Sequence, residues 1–170
     1  YAGGLIWASN AQPVAAYRLR YNGVYWLAAG VSRNGTTNLA RSLDGFTWSN
    51  VGSVTNAITA LEWNGDLWLA AAQGQFWTSP DGTTWTSNVP SSSIFVFGNG
   101  ADVAWSGSAW YALGCNSAGT NWSVIRSPDA SNWSLMTTFS NETGNLFQPY
   151  ISSRFGTAVT APNLRLWASS

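Results

Sequence analysis

Five side chains carry most of the acid–base chemistry this 170-residue chain could offer a substrate: Arg18, Arg20, Glu62, Asp102 and Tyr150. A carboxylate beside a tyrosine and a guanidinium superficially suits glycosidase work. Such chemistry needs a second carboxylate within reach, and Asp102 is the one candidate to partner Glu62. The chain has no His, so a Ser-His-Asp triad is excluded and the commonest general base is missing. A single cysteine, Cys115, leaves neither a disulfide framework nor a Cys/His metal set, and it reads as a small buried apolar residue. No metal or cofactor is expected. Of the other acids, Asp44, Asp81 and Asp129 fall in turns, Asp66 in a hairpin loop and Glu142 in a connection. Charges in a narrow site need partners. The leading expectation is therefore that Arg18 neutralises Asp102 and Arg20 neutralises Glu62, with a ligand site second and catalysis last.

What brings these residues together is a repeat. "YNGVYWLAAG" (Tyr21–Gly30), "WNGDLWLAAA" (Trp63–Ala72) and "WSGSAWYALG" (Trp105–Gly114) align with their turn glycines, Gly23, Gly65 and Gly107, spaced 42 residues apart. A Trp follows each glycine by three: Trp26, Trp68 and Trp110. A degenerate fourth copy begins at Ile151, with Ser153 in the glycine slot. Each unit reads as four short strands, A to D. In the second, A is about 57–63, B 67–72, C 75–79 and D from 84. Asn64-Gly65 predicts a tight type I′ hairpin between A and B. "PDGT" predicts the C–D turn, with Pro80 setting φ, Asp81 binding the turn backbone and Gly82 taking positive φ. Apolar residues alternate and do not recur at three and four, which excludes a helical reading.

Four-stranded antiparallel units at a period of about 40–45 residues are the signature of a β-propeller. The expected fold is all-β: a four-bladed β-propeller forming one domain, with blades at about 11–51, 52–90, 98–137, and 146–170 plus 1–10. The fourth blade has A at about 147–151, B at 155–161 and C at 164–169. "GGLIWASN" (Gly3–Asn10) matches "DGFTWSNV" (Asp44–Val51), so the N-terminal segment should serve as its D strand. Pairing of the N-terminal strand with the C-terminal strands would close the ring and remove open sheet edges. Register then puts Arg20, Glu62, Ala104 and Tyr150 at one position of strand A, and Arg18, Ala60, Asp102 and Gln148 two residues earlier, all near the central channel.

The strings "SLDGFTW" (Ser42–Trp48), "SPDGTTW" (Ser79–Trp85) and "SPDASNW" (Ser127–Trp133) resemble the Asp-box, the Ser-x-Asp-x-Gly-x-Thr-Trp turn of sialidase-like propellers and related binding propellers. The form here lacks the residue between Asp and Gly, and so looks like the short variant of secreted and large-virus propeller proteins. The third copy has Ala130 in place of Gly, and the N-terminal copy lacks Ser and Asp. The resemblance covers three of four blades and implies a fold, not an activity. It implies that Ser42, Asp44, Ser79, Asp81, Ser127 and Asp129 brace turns, and that Trp48, Trp85 and Trp133 pack between blades. A sialidase-like site would add an Arg cluster and a Tyr–carboxylate pair, which Arg18, Arg20, Glu62 and Tyr150 match only superficially.

Twelve Trp and 8% charged residues, about a third of the usual share, set the surface chemistry. Trp26, Trp68 and Trp110, with Trp7, Trp48, Trp85 and Trp133, recur in register and read as wedge-filling core. Trp122 does not recur. It falls near a B–C connection and is the best candidate for a binding contact, as a platform for a sugar ring. Zero net charge without a basic run excludes a nucleic-acid footprint. No apolar run is long enough to span a bilayer, so no direct membrane insertion is expected. The chain opens on Tyr1, which marks a processed product or a piece of a longer chain. Abundant Asn, Ser and Thr with few charges suggest an extracellular or virion-surface protein. Sequons at Asn34, Asn121 and Asn141 are candidate N-glycosylation sites, and Asn132, in a turn beside a core Trp, is the weakest acceptor. The expected function is a non-enzymatic structural module contacting other protein subunits. A lectin-like glycan binder is the alternative, and a sialidase-like hydrolase the remote one.

Overall fold

The computed structural model describes residues 13–33, 35, 37–72, 75–89, 102–115, 121–140, 150–152 and 165–167. These residues are all-β, with no helix among them. The first sheet holds β1 (Val14–Tyr21), β2 (Trp26–Ser32), β3 (Leu39–Ser42) and β4 (Ser49–Asn50). The second holds β5 (Ile58–Trp63), β6 (Trp68–Ala72), β7 (Gln75–Ser79) and β8 (Thr86–Asn88). The third holds β9 (Asp102–Trp105), β10 (Trp110–Cys115), β11 (Asn121–Ser127) and β12 (Ser134–Ser140). In all three the strands lie in chain order and pair antiparallel. A two-stranded sheet pairs β13 (Tyr150–Ser152) with β14 (Arg165–Trp167). Among the described residues no sheet closes on itself.

The second strands run as unbroken apolar stretches, and the packing gives the reason. Every residue of β6 is buried. Its alternating side chains enter two different wedges, so both faces must be apolar. Trp68, Ala70 and Ala72 meet Leu27, Ala29 and Leu39 of the first sheet, a wedge completed by Ile58, Leu61, Val54, Tyr25 and Trp85. Leu69 and Ala71, with Phe76, meet Val103, Trp110, Ala112, Ile125 and Ala130 of the third sheet. Small Ala side chains let the sheets approach, and aromatic rings fill what remains. The first strands stack in sequence, β1 on β5, β5 on β9 and β9 on β13.

Two sequence expectations fail in instructive ways. The A–B connections are four-residue loops and not two-residue I′ turns. Only the glycines take positive φ, Gly23 at 96°, Gly65 at 111° and Gly107 at 90°. A type I′ turn would need a second such residue. Instead the preceding side chain caps the loop. Asn22 Oδ1 accepts from the Val24 and Tyr25 N–H groups, and Asn64 Oδ1 accepts from those of Asp66 and Leu67. Ser106 Oγ does the same for Ser108 and Ala109. The second failure is in the last unit. β14 pairs directly with β13, Tyr150 opposite Trp167, in the place that β2, β6 and β10 hold in the other sheets. The 164–169 segment is therefore not a third strand of an A–B–C series. The expected B strand at 155–161 and the N-terminal strand at 1–10 lie outside the described residues. The third sheet also runs three residues past the boundary placed at 137, since β12 continues to Ser140.

Candidate functional site

The turn boxes form as the sequence implies, and their chemistry is turned inward. In the first, Asp44 Oδ1 accepts from the N–H groups of Phe46 and Thr47 and from Ser42 Oγ. Ser42 Oγ in turn accepts from Gly45 N–H. The Trp48 indole N–H then donates to Gly45 O at 3.0 Å. Ser79, Asp81, Gly82 and Trp85 repeat this pattern. Hydrogen bonds to the charged form hold a carboxyl down. The N–H groups of Thr47 and Phe46, with the Ser42 hydroxyl, lower Asp44 from 3.8 to about 2. The N–H groups of Thr84 and Thr83 hold Asp81 well below the carboxylate range. In the third box the Asn132 N–H, the Asn132 side-chain amide and the Ser131 N–H do the same for Asp129. That amide, Nδ2, lies 2.7 Å from Asp129 Oδ2, so the atom a glycan would need is engaged in the turn. Ala130 occupies the glycine slot with φ of 61°, and its methyl is fully buried in the second wedge.

The inner strands bring the remaining ionisable candidates together. β1 carries a bulge between Ala16 and Arg18, and β5 carries one at the equivalent place between Ile58 and Ala60. A bulge re-aims the side chains that follow it. Arg18 and Arg20, two apart on an extended strand, then share a face. Arg20 Nε donates to Glu62 Oε2 at 3.3 Å, linking the first sheet to the second. Glu62 Oε1 also accepts from Trp63 N–H. Arg18 Nη2 lies 3.6 Å from Asp102 Oδ1, a contact that skips the second sheet and joins the first to the third. Each guanidinium also donates to a neighbouring backbone carbonyl, Arg18 to Tyr17 and Arg20 to Leu19. The acid side chains are the covered members, 12% and 19% exposed against 34% and 41% for Arg18 and Arg20. Both pairs that the register places together are thus formed. Each carboxylate is already held by a guanidinium and a backbone N–H. Tyr150 opens β13, which packs beside β9.

Trp122 is not an exposed platform. It lies within β11, opposite Cys115 and Phe139, and is 4% exposed. It packs with Ala104, Leu113 and Val124 on the side of the third sheet away from the second. Its irregular register follows from the length of β11, which extends seven residues where β3 has four and β7 five. Asn121 is the first residue of that strand, while Asn34 and Asn141 lie outside the described residues.

Sequence reasoning missed Tyr25. Its hydroxyl accepts from the Trp68 indole N–H at 2.8 Å across the first wedge. Its ring lies 3.8 Å beneath the Arg41 guanidinium. The signal available was that the aligned positions, Leu67 and Ala109, are smaller and apolar. Among the described residues no three His, Cys, Asp or Glu side chains gather as a metal set, and no helix is long and apolar enough to cross a membrane. No protein-family model and no curated protein matches the chain.

Proposed function

We propose that the chain is a four-bladed propeller acting as a non-enzymatic interaction module in an exterior assembly, of the short Asp-box kind. The observation that supports a ring is the Arg18–Asp102 contact, in which a side chain of the first sheet reaches one of the third, skipping the second. A second observation supports a missing wedge. Leu19 is 46% exposed, whereas Leu61 and Val103, at the same register, are 1% and 3% exposed between blades. The reading assigns the cover of that side to the N-terminal segment, residues 1–10, acting as a strand beside the C-terminal ones. Deleting residues 1–10 is expected to lower Tm by several degrees; an unchanged Tm refutes closure by that strand.

The interaction reading rests on how the polar chemistry is used. The box aspartates are engaged by their own turns, and the inner carboxylates by arginines. The irregular Trp is core. What remains outside is low in charge and rich in Ser, Thr and Asn, a surface suited to stable contact with neighbouring subunits. Light scattering on the untreated and deglycosylated protein tests this. A dimer or larger species supports the module. A strict 18-kDa monomer that binds on a glycan array would transfer the reading to a glycan binder.

A further inference from the structure

The outer edges of the three sheets are unequal. Those of the first and second are short, two residues in β4 and three in β8. The third, β12, has seven, "SLMTTFS", with neither a charged residue nor Pro. Short edges, charges, Pro and bulges are the usual protection against pairing with another chain. β12 has only the last, since Met136 is the extra residue where Val124 and Ile125 pair with Thr137 and Leu135. Ser134 to Thr138 are all exposed, Leu135 at 43% and Met136 at 52%.

We propose that β12 is an interface for a second copy of this chain, pairing antiparallel with its own counterpart about Thr137. This deepens the assembly reading above and rests on it. The argument for a second copy is self-complementarity. Antiparallel pairing centred on Thr137 sets Thr137 against itself, Met136 against Thr138, Leu135 against Phe139 and Ser134 against Ser140. Every directly opposed pair then matches in polarity or sets an apolar group against a methyl-bearing one, and no charge meets its like. A two-fold axis always opposes a residue's own kind near its centre, so an edge carrying charge there would repel itself. The result would be a continuous eight-stranded sheet across two third blades. The bulge adds twist, which antiparallel ribbons accommodate.

The test is sedimentation or light scattering across a concentration series, with two triple variants. One carries Met136→Lys, Thr137→Lys and Thr138→Lys; the other carries Asp at the same three positions. All three positions are exposed, so far-UV and near-UV spectra should match wild type. Wild type is expected to dimerise. Each variant alone should weaken dimerisation about tenfold or more, because three like-charged pairs come to face one another. Mixing the two variants should restore it as a mixed dimer, which general destabilisation would not produce. A wild-type monomer at every concentration overturns the proposal. Dimers that persist in both variants also overturn it, while leaving assembly through another face in place.

Discussion

Gly45 and Gly82 occupy the same slot of consecutive boxes, with φ of 77° and 71°, yet their surroundings differ. A Cβ at Gly45 would meet only Trp26 Nε1, at 3.8 Å. A Cβ at Gly82 would fall 2.7 Å from the Tyr25 hydroxyl and 3.1 and 3.3 Å from two of its ring carbons. Either Gly→Ala change forces an L-residue into the left-handed region, costing about 1 kcal/mol. Gly82→Ala must also displace a ring held by the Trp68 N–H and covered by Arg41. Losing that hydrogen bond in a buried wedge costs a further ~1–3 kcal/mol. Gly82→Ala is therefore expected to be the worse by ~1–3 kcal/mol, or about 2–4 °C in Tm for each kcal/mol. Urea unfolding followed by Trp fluorescence measures the difference. Tyr25→Phe removes the colliding oxygen and the hydrogen bond at stake, so Gly82→Ala should cost less in that background than in wild type, with the two ring carbons keeping it above Gly45→Ala. Equal costs for the two glycine changes, or strict additivity with Tyr25→Phe, would refute the reasoning.

Other expectations follow from the same contacts. Asp44 is depressed to about 2, and Asp81 and Asp129 are lowered too, so their stabilisation is complete above the unfolded value near 4 and lost as pH falls toward 2. Urea midpoints should drop steeply over that interval, and Asp44→Asn with Asp81→Asn should flatten the slope. Arg20→Met and Glu62→Gln should each cost less than about 1 kcal/mol, because the pair is partly exposed; a loss above 2 in denaturant melts would contradict that. Trp122→Ala should cost about 3–5 kcal/mol, as a buried aromatic does, and a variant of wild-type stability would return Trp122 to the surface. Ala130→Gly should be nearly neutral by thermal melt, since relief of the left-handed strain (~1 kcal/mol) offsets the loss of a buried methyl (~0.8 kcal/mol).

The sequence alone determined whatever is written in local spacing. Three units at a fixed period, their strand order and the box turns follow from period-2 apolarity and from Ser, Asp and Gly placed where a turn needs them. The fixed register even paired Arg20 with Glu62 and Arg18 with Asp102, because the first strands that carry them stack on one another in sequence. Tertiary structure decided what depends on neighbours distant in the chain. Trp122 read as a loop residue because its strand is longer than its counterparts, and only the packed third sheet shows it covered. Tyr25 drew no notice in the sequence, and only the adjacent sheet, which brings Trp68 and Gly82 against it, shows what it does. The 164–169 segment reads as a third strand because "LRLWASS" (Leu164–Ser170) is like "GQFWTSP" (Gly74–Pro80), but local likeness does not say which strand it joins, and β14 pairs with β13. A strand's identity is local, but its partner is chosen by the wedge that buries it.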